Sequence, residues 1–141
     1  MSRHGYIEFE GDDPLAEGRW LGAILSAKRG KRGQSFFREL IEALDAMPEK
    51  VLAARSFTRG GEVCALGAVA LKRGIDVSEF EPPEGDDSWD DEVDHSALAD
   101  TFGIAKCLAR EIMYENDDEY CKETPEQRYI RIRKWVEAWT S

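Results

Sequence analysis

Cys64 is the side chain of this sequence whose position best suits covalent chemistry. It lies in the stretch GGEVCALGAVALKRG, residues 60–74, at the start of an apolar run of helix length. The positive end of a helix lowers the pKa of a thiol, so a cysteine-dependent enzyme is one hypothesis. A cysteine nucleophile also needs a base, and His4 and His95, the two histidines, lie in the N-terminal stretch and beside carboxylates that favour imidazolium. The pattern therefore favours Cys64 as a small core residue and predicts no catalytic residue.

An acidic run between Ile75 and His95 could bind a partner. Residues 76–124 hold 17 Asp and Glu against three Lys and Arg, a local net charge of −14 in a chain of net charge −10. A dense row of carboxylates can imitate a nucleic-acid backbone and occupy a basic groove on another protein. The predicted partner-binding residues are Glu84, Asp86, Asp87, Trp89, Asp90, Asp91, Glu92 and Asp94. A solvated loop is the simpler alternative. Their spacing does not match an EF-hand loop, so no metal ion and no other cofactor is predicted.

Two basic clusters suggest direct binding of nucleic acid as an alternative. One lies in KRGKRG, residues 28–33, which its glycines predict to be a flexible connector, and the other lies in the last helical segment. The candidate residues are Lys28, Arg29, Lys31, Arg32, Arg128, Arg131 and Lys134. A protein of net charge −10 repels phosphate unless its basic patch is well separated, so we expect these cations to pair within the chain.

Length and composition limit the chain to one domain. With 141 residues, 42% of them hydrophobic, it can bury one core but not two. The sequence predicts a single domain over residues 1–141, with a mobile N-terminus at 1–12 and an acidic loop or insert at 75–95. Three widely spaced cysteines without a CxxC pair predict reduced thiols. No apolar run approaches the ~20 residues of a membrane span, so we expect a cytosolic protein that does not enter membranes.

Helical periodicity predicts the elements that must position these residues. The helical segments are PLAEGRWLGAILSAK, GQSFFRELIEALDAM, CALGAVALKR, SALADTFGIAKCLAREIMYEN, with a break at Gly103, and TPEQRYIRIRKWVEAW, with Thr124 as N-cap. KVLAARSFTRGGEV and YIEFE carry the β signals, the first as a hairpin with a TRGG turn. The predicted fold is mainly α (α+β), a compact domain of about five helices with a small β-hairpin.

Three short motifs carry a resemblance to a known group. They are CALGAV with a helix that ends in Arg73-Gly74, the pair Asn116-Asp117 after an apolar helix, and TPEQR at the start of the last helix. With KRGQSFFRELIEALDAMPEKVL and TFGIAKCLAREIMYEND, they resemble a family of small prophage-borne and bacterial proteins without an established activity, over about residues 30–135. The resemblance implies a phage accessory protein in the bacterial cytoplasm of the host, and it implies no catalytic residue.

These observations lead to a hypothesis about function. We expect a non-enzymatic phage accessory protein that binds a host or phage protein and inhibits a host antiviral (CRISPR-type) or nucleic-acid-handling complex through an acidic, nucleic-acid-mimicking face. The alternatives are a nucleic-acid-binding protein that uses the basic clusters and, with less support, a cysteine-dependent enzyme. The oligomeric state stays open.

Overall fold

Six α-helices make up most of the described chain in the computed structural model, which describes residues 14–54, 57, 62–80, 94–117 and 123–140. They are α1 (Pro14–Arg29), α2 (Lys31–Ala46), α3 (Ala65–Arg73), α4 (His95–Phe102), α5 (Lys106–Asn116) and α6 (Pro125–Trp139). A short 3-10 turn, Ser78–Phe80, follows α3. The prediction of a mainly helical protein is confirmed. The helix count is six because Gly103 divides the fourth predicted segment into α4 and α5.

The helix ends follow from local capping chemistry. Gly74 and Gly103 end α3 and α4 at φ values of 70° and 71°, in the left-handed region that glycine enters without a steric cost. At the start of α6, the Thr124 hydroxyl accepts the Gln127 N–H and the Gln127 side chain accepts the Thr124 N–H, which forms the predicted capping box. These helix boundaries are therefore set by local sequence signals that do not require tertiary contacts.

Two helices, α2 and α5, organise the core. Helix α2 packs against α1, α3 and α6, and α5 packs against α1, α3, α4 and α6. The apolar stripe of α2 buries Phe36, Phe37 and Leu40. Phe37 meets Trp135 of α6 edge to face at 5.8 Å, and Phe36 meets Phe102 of α4 at 6.0 Å. These contacts fix α4 and α6 relative to α2.

The predicted β-hairpin is not supported, because the described residues form no strand. Residues 51–54 and 62–64 do run close together, and the Ala53 N–H donates to the Val63 carbonyl at 2.8 Å. The neighbouring backbone groups bond elsewhere: the Leu52 N–H donates to Pro125 O, and the Ala53 carbonyl accepts from Asn116. These partners replace a strand ladder. The predicted TRGG turn and the YIEFE segment lie outside the described residues.

The predicted flexible connector between the first two helices is wrong. Only Gly30 separates α1 from α2, and Lys31, Arg32 and Gly33 are the first residues of α2. Gly33 is a packing residue: a Cβ there would lie 1.7 Å from the Ala27 carbonyl oxygen. Glycine is therefore needed at this position because two helix backbones approach closely, and its flexibility is not used.

Candidate functional site

The predicted acidic face lies mostly outside the described residues. Residues Glu84, Asp86, Asp87, Trp89, Asp90, Asp91 and Glu92 fall in the undescribed stretch 81–93. Asp94 is described and caps α4, where its carboxylate accepts the Ala97 N–H at 3.0 Å. The chain enters this stretch from Phe80, whose ring packs against Phe57 at 6.4 Å. Both ends of the acidic stretch are therefore attached to the helical body.

The carboxylates that flank this stretch are unneutralised. Asp76, Glu79 and Asp100 are exposed, and none of them forms an ion pair with another described residue. The Asp76 carboxylate accepts the Ser78 N–H at 2.8 Å, which lowers its pKa below the ordinary value. These three carboxylates therefore have no ion-pair partner within the part of the chain that the structure describes.

Two carboxylates of α2, by contrast, are paired with arginine. Arg73 of α3 donates to Glu39 of α2 at 2.9 Å, and Arg133 of α6 donates to Asp45 of α2 at 2.8 Å. The hydrogen bonds from Arg73 and Arg133 lower the pKa of Glu39 and Asp45, respectively. These pairs join α2 to α3 and α6, and they neutralise two cations that could otherwise contact a partner.

The predicted nucleic-acid-binding cations separate into three groups. Lys28 lies in the core with 1% of its surface exposed. Arg128 and Arg131 both pair with Glu123, Arg131 through three bonds of 2.6 to 3.0 Å, and Arg131 also lies 3.8 Å from Glu115. These three cations therefore pair within the chain, as expected. Their charges are neutralised by the body of the protein.

The remaining cations are exposed. Arg29, Lys31, Arg32 and Lys134 form no ion pair within the part of the chain that the structure describes. Arg38, one turn beyond Gln34 on α2, shares these properties. Sequence reasoning missed Arg38 because it stands alone inside an amphipathic segment. These five cations lie at the junction of α1 and α2, along α2 and on the outer face of α6.

A groove opens at this junction. It has a volume of about 340 Å³ and is lined by Arg29, Gln34, Ala138, Trp139 and Thr140. The Gln34 side chain donates to the Lys28 carbonyl and to the Trp139 carbonyl, each at 2.7 Å, and so joins the ends of α1 and α6 to the start of α2. Sequence reasoning overlooked Gln34. Its position three residues before Phe37 on the apolar flank was the available signal.

A buried lysine lies behind the groove. The Lys28 ammonium lies 4.0 Å from the ring centroid of Trp139, 5.2 Å from that of Trp135 and 3.9 Å from the carboxylate of Glu111. Glu111 has no exposed surface. An ion pair and two cation–π contacts thus stabilise a charge that burial alone would make very costly. This cluster connects the C-terminal ends of α1 and α6 through α5.

Cys64 occupies the N-cap of α3 and is 4% exposed. Its sulfur accepts the Gly67 N–H at 3.4 Å. The hollow that it shares with Leu66, Ile112, Met113, Asn116 and Asp117 has no room for a water molecule. In this geometry the thiol acts as a helix cap and packing residue, and a substrate cannot reach it without rearrangement of the core.

Asn116 brings two of the resemblance motifs into direct contact. Its side chain accepts the Ala65 N–H at 3.0 Å, at the start of CALGAV, and donates to Ala53 O at 2.8 Å. Arg131, on the helix that TPEQR begins, donates to the Asn116 carbonyl at 3.5 Å. Asn116 therefore joins the CALGAV segment and the last helix at one junction.

The expectation that neighbouring carboxylates favour the imidazolium form of His95 is wrong. Burial, followed by repulsion from Arg110 and Lys106, lowers its pKa to about 4. Asp94 acts in the opposite direction and is outweighed. The ring is therefore neutral at physiological pH.

Comparison with protein-family models, curated proteins and solved structures finds no match for this chain. Within the described helices, none is long and apolar enough to cross a membrane. The described residues also contain no group of three or more His, Cys, Asp or Glu side chains arranged to hold a metal ion.

Proposed function

We propose that this protein acts by binding another macromolecule through an acidic face formed by residues 79–100, and not by catalysis. The observation that carries the proposal is the distribution of unpaired charge. Carboxylates next to the acidic stretch, such as Glu79 and Asp100, lack a described cationic partner, whereas Glu39 and Asp45 on α2 have one. Carboxylates without a cationic partner attract a basic surface at a distance, and these two belong to the segment 76–124 of local net charge −14.

The specific form of the proposal is a phage accessory protein that occupies the nucleic-acid-binding surface of a host complex, such as a CRISPR-type antiviral complex. The attachment of Phe80 to the core and the capping role of Asp94 support it, because they hold both ends of the acidic stretch on the helical body. A stretch held at both ends loses less conformational entropy on binding than a free tail does.

A charge-neutralising triple variant tests this function. Asp86→Asn, Asp87→Asn and Asp90→Asn are combined, and capture from a nuclease-treated bacterial lysate is compared with capture by the wild type. We expect the variant to lose the captured protein. Added double-stranded DNA should also displace that protein from the wild type, because the DNA and the acidic stretch would compete for the same basic surface of the captured protein.

A matched control separates the acidic stretch from net charge. Glu42→Gln, Glu49→Gln and Glu126→Gln make the same change in charge at exposed positions elsewhere. This control should capture the partner as the wild type does. Equal capture by both triple variants, or capture that DNA does not affect, would contradict the proposal.

A second candidate function, direct nucleic-acid binding, is favoured by the exposed cations that lack an ion pair. Arg29, Lys31, Arg32 and Lys134 can contact at most four phosphates between them. The expected slope of log K against log salt is therefore no steeper than about −4. Fluorescence anisotropy with a labelled duplex at low salt measures it. No binding at micromolar protein excludes this candidate.

A further inference from the structure

Helix α1 has an exposed apolar face. Among the described residues, three of the five large apolar side chains that are exposed belong to this helix: Leu15, Leu21 and Leu25, with exposures between 39% and 69%. The inward side of α1, which carries Trp20 and Ile24, packs against α2 and α5. A surface helix of a soluble protein is usually polar on its outer side. Exposed leucines that recur along one helix therefore indicate an interaction surface.

Two glycines lie between the leucines on this outer face. Helical rotation places Leu15, Gly18, Gly22 and Leu25 in one line along α1, at the spacing of a coiled-coil seam. A Cβ at Gly18 or Gly22 would have nothing within 4 Å, so packing within this chain does not require glycine at either position. Glycine inside a helix lowers stability relative to alanine. The close approach of another helix backbone would explain why glycine occurs twice on this open face.

The order of these four residues suits a second copy of the chain. Leucine, glycine, glycine and leucine read the same in both directions along α1. A two-fold interface brings residue i of one copy against residue j of the other, and j against i. When two α1 helices lie antiparallel about an axis midway along this line, Leu15 of each copy opposes Leu25 of the other, and Gly18 opposes Gly22. The leucines then pack at both ends of a contact whose centre lets the backbones approach.

The charges at the two ends of α1 also suit an antiparallel pair. Arg29, the last residue of the helix, is exposed and forms no ion pair with the described residues. Asp12 and Asp13 directly precede Pro14, its first residue, in the sequence. An antiparallel pair brings Arg29 of each copy to the acidic start of the other helix, and the two helix dipoles run in opposite directions. A parallel pair would instead bring the two copies of Arg29 together.

We infer that the outer face of α1 is a homodimer interface, in which two copies of this chain pack their α1 helices antiparallel. A contact of one helix with another is small, so the dimer should be reversible and should form between micromolar and millimolar concentration. The interface does not involve residues 79–100, and the inference does not depend on the proposed function.

Sedimentation equilibrium of the full chain tests the inference. The average mass of the wild type should rise from that of one chain toward that of two as the concentration increases. Leu25→Gln removes an apolar contact and Gly22→Gln obstructs the backbone approach, so each should weaken dimerisation at least about tenfold. The space above Gly22 is open, and this change should leave the fold of the single chain intact. Leu71→Gln is the matched control, since Leu71 is 64% exposed on α3, and it should change the dissociation constant less than about threefold.

A charge reversal tests the direction of the two helices. Arg29→Glu should weaken an antiparallel dimer, because it places a carboxylate beside Asp12 and Asp13 of the other copy, and stronger dimerisation of this variant would contradict the antiparallel arrangement. A monomer at every concentration would overturn the inference and leave another protein, or residues 1–13 of the same chain, as the occupant of the face. Equal losses for Leu71→Gln and Leu25→Gln would also overturn it. Circular dichroism checks that every variant is folded, and none of these outcomes affects the capture experiment on the acidic stretch.

Discussion

Removing one partner of the buried Lys28–Glu111 pair should strongly destabilise the protein. The charges lie 3.9 Å apart, with side-chain exposures of 2% and 0%. At an effective dielectric constant of about 20, this separation corresponds to an attraction of about 4 kcal/mol. Either Lys28→Met or Glu111→Gln leaves the other charge buried without this partner. Each change should therefore lower the free energy of unfolding by about 3 to 5 kcal/mol.

A double-mutant cycle isolates the pair from other contacts of these two residues. The double variant should lose little more stability than the more destabilised single variant. Both charges are then absent, so neither is left buried without its ion-pair partner. We expect a coupling energy of about 2 kcal/mol or more. Urea unfolding followed by circular dichroism at 222 nm measures all four proteins without depending on the tryptophans next to Lys28.

The exposed pair Lys72–Glu42 is the matched control. Its atoms are closer, at 3.6 Å, but the side chains are 37% and 69% exposed. Solvent should hold its coupling energy below about 1 kcal/mol. The reasoning fails if the Lys28–Glu111 effects are additive within about 0.5 kcal/mol, or if the exposed pair couples as strongly as the buried one.

Three further changes test the packing and the electrostatics of the fold. Gly33→Ala should lower the free energy of unfolding in urea by more than about 2 kcal/mol, because its Cβ would lie 1.7 Å from the Ala27 oxygen. Gly22→Ala is the control: its Cβ would have nothing within 4 Å, so this change should stabilise α1 by about 1 kcal/mol. Equal effects would contradict the close helix approach. Asn116→Ala removes partners from Ala53 O and Ala65 N and should cost about 2 to 4 kcal/mol; a loss below about 1 kcal/mol would contradict the junction. The lowered pKa of His95, about 4, makes the unfolded state bind more protons, so its contribution to stability is complete above pH ~6.5 and is lost as the pH falls toward 4. At about 1.4 kcal/mol per pKa unit, the loss of stability is at most ~3 kcal/mol, and about half of that after solvent screening at this edge of the core. His95→Gln should therefore flatten the profile of unfolding free energy between about pH 6.5 and 4. An unchanged slope would refute the lowered pKa.

The helices were predictable because their signals are local. The apolar stripe of α2, the capping box at Thr124 and the glycines at 74 and 103 act within one or two turns. The hairpin prediction failed because residues near Leu52 and Ala53 bond to Pro125 and Asn116, which are distant in sequence. Local patterning cannot show which distant group will take a backbone hydrogen bond.

The candidate sites were less predictable because burial changes what a charge does. Lys28 and Arg29 are neighbours in one basic cluster, yet one is in the core beside Trp139 and the other is exposed in the groove. A helix places successive residues about 100° apart, so a cluster in sequence is divided between faces. On α6, Arg131 pairs with Glu123, whereas Lys134, three residues further along, has no ion pair on the described surface. Counting charges along the sequence could not make these distinctions.

The distribution of unpaired charge also bears on the size of an anion that the basic end can hold. Pairing of Arg73, Arg131 and Arg133 leaves only a few exposed cations near the groove, on a chain of net charge −10. At physiological salt a charge acts over about 8 Å, so each of these cations acts mainly on groups close to it. A nucleic-acid duplex requires several such cations along one surface and is also repelled by the net charge of −10. Electrostatics therefore disfavours a nucleic-acid duplex on this protein.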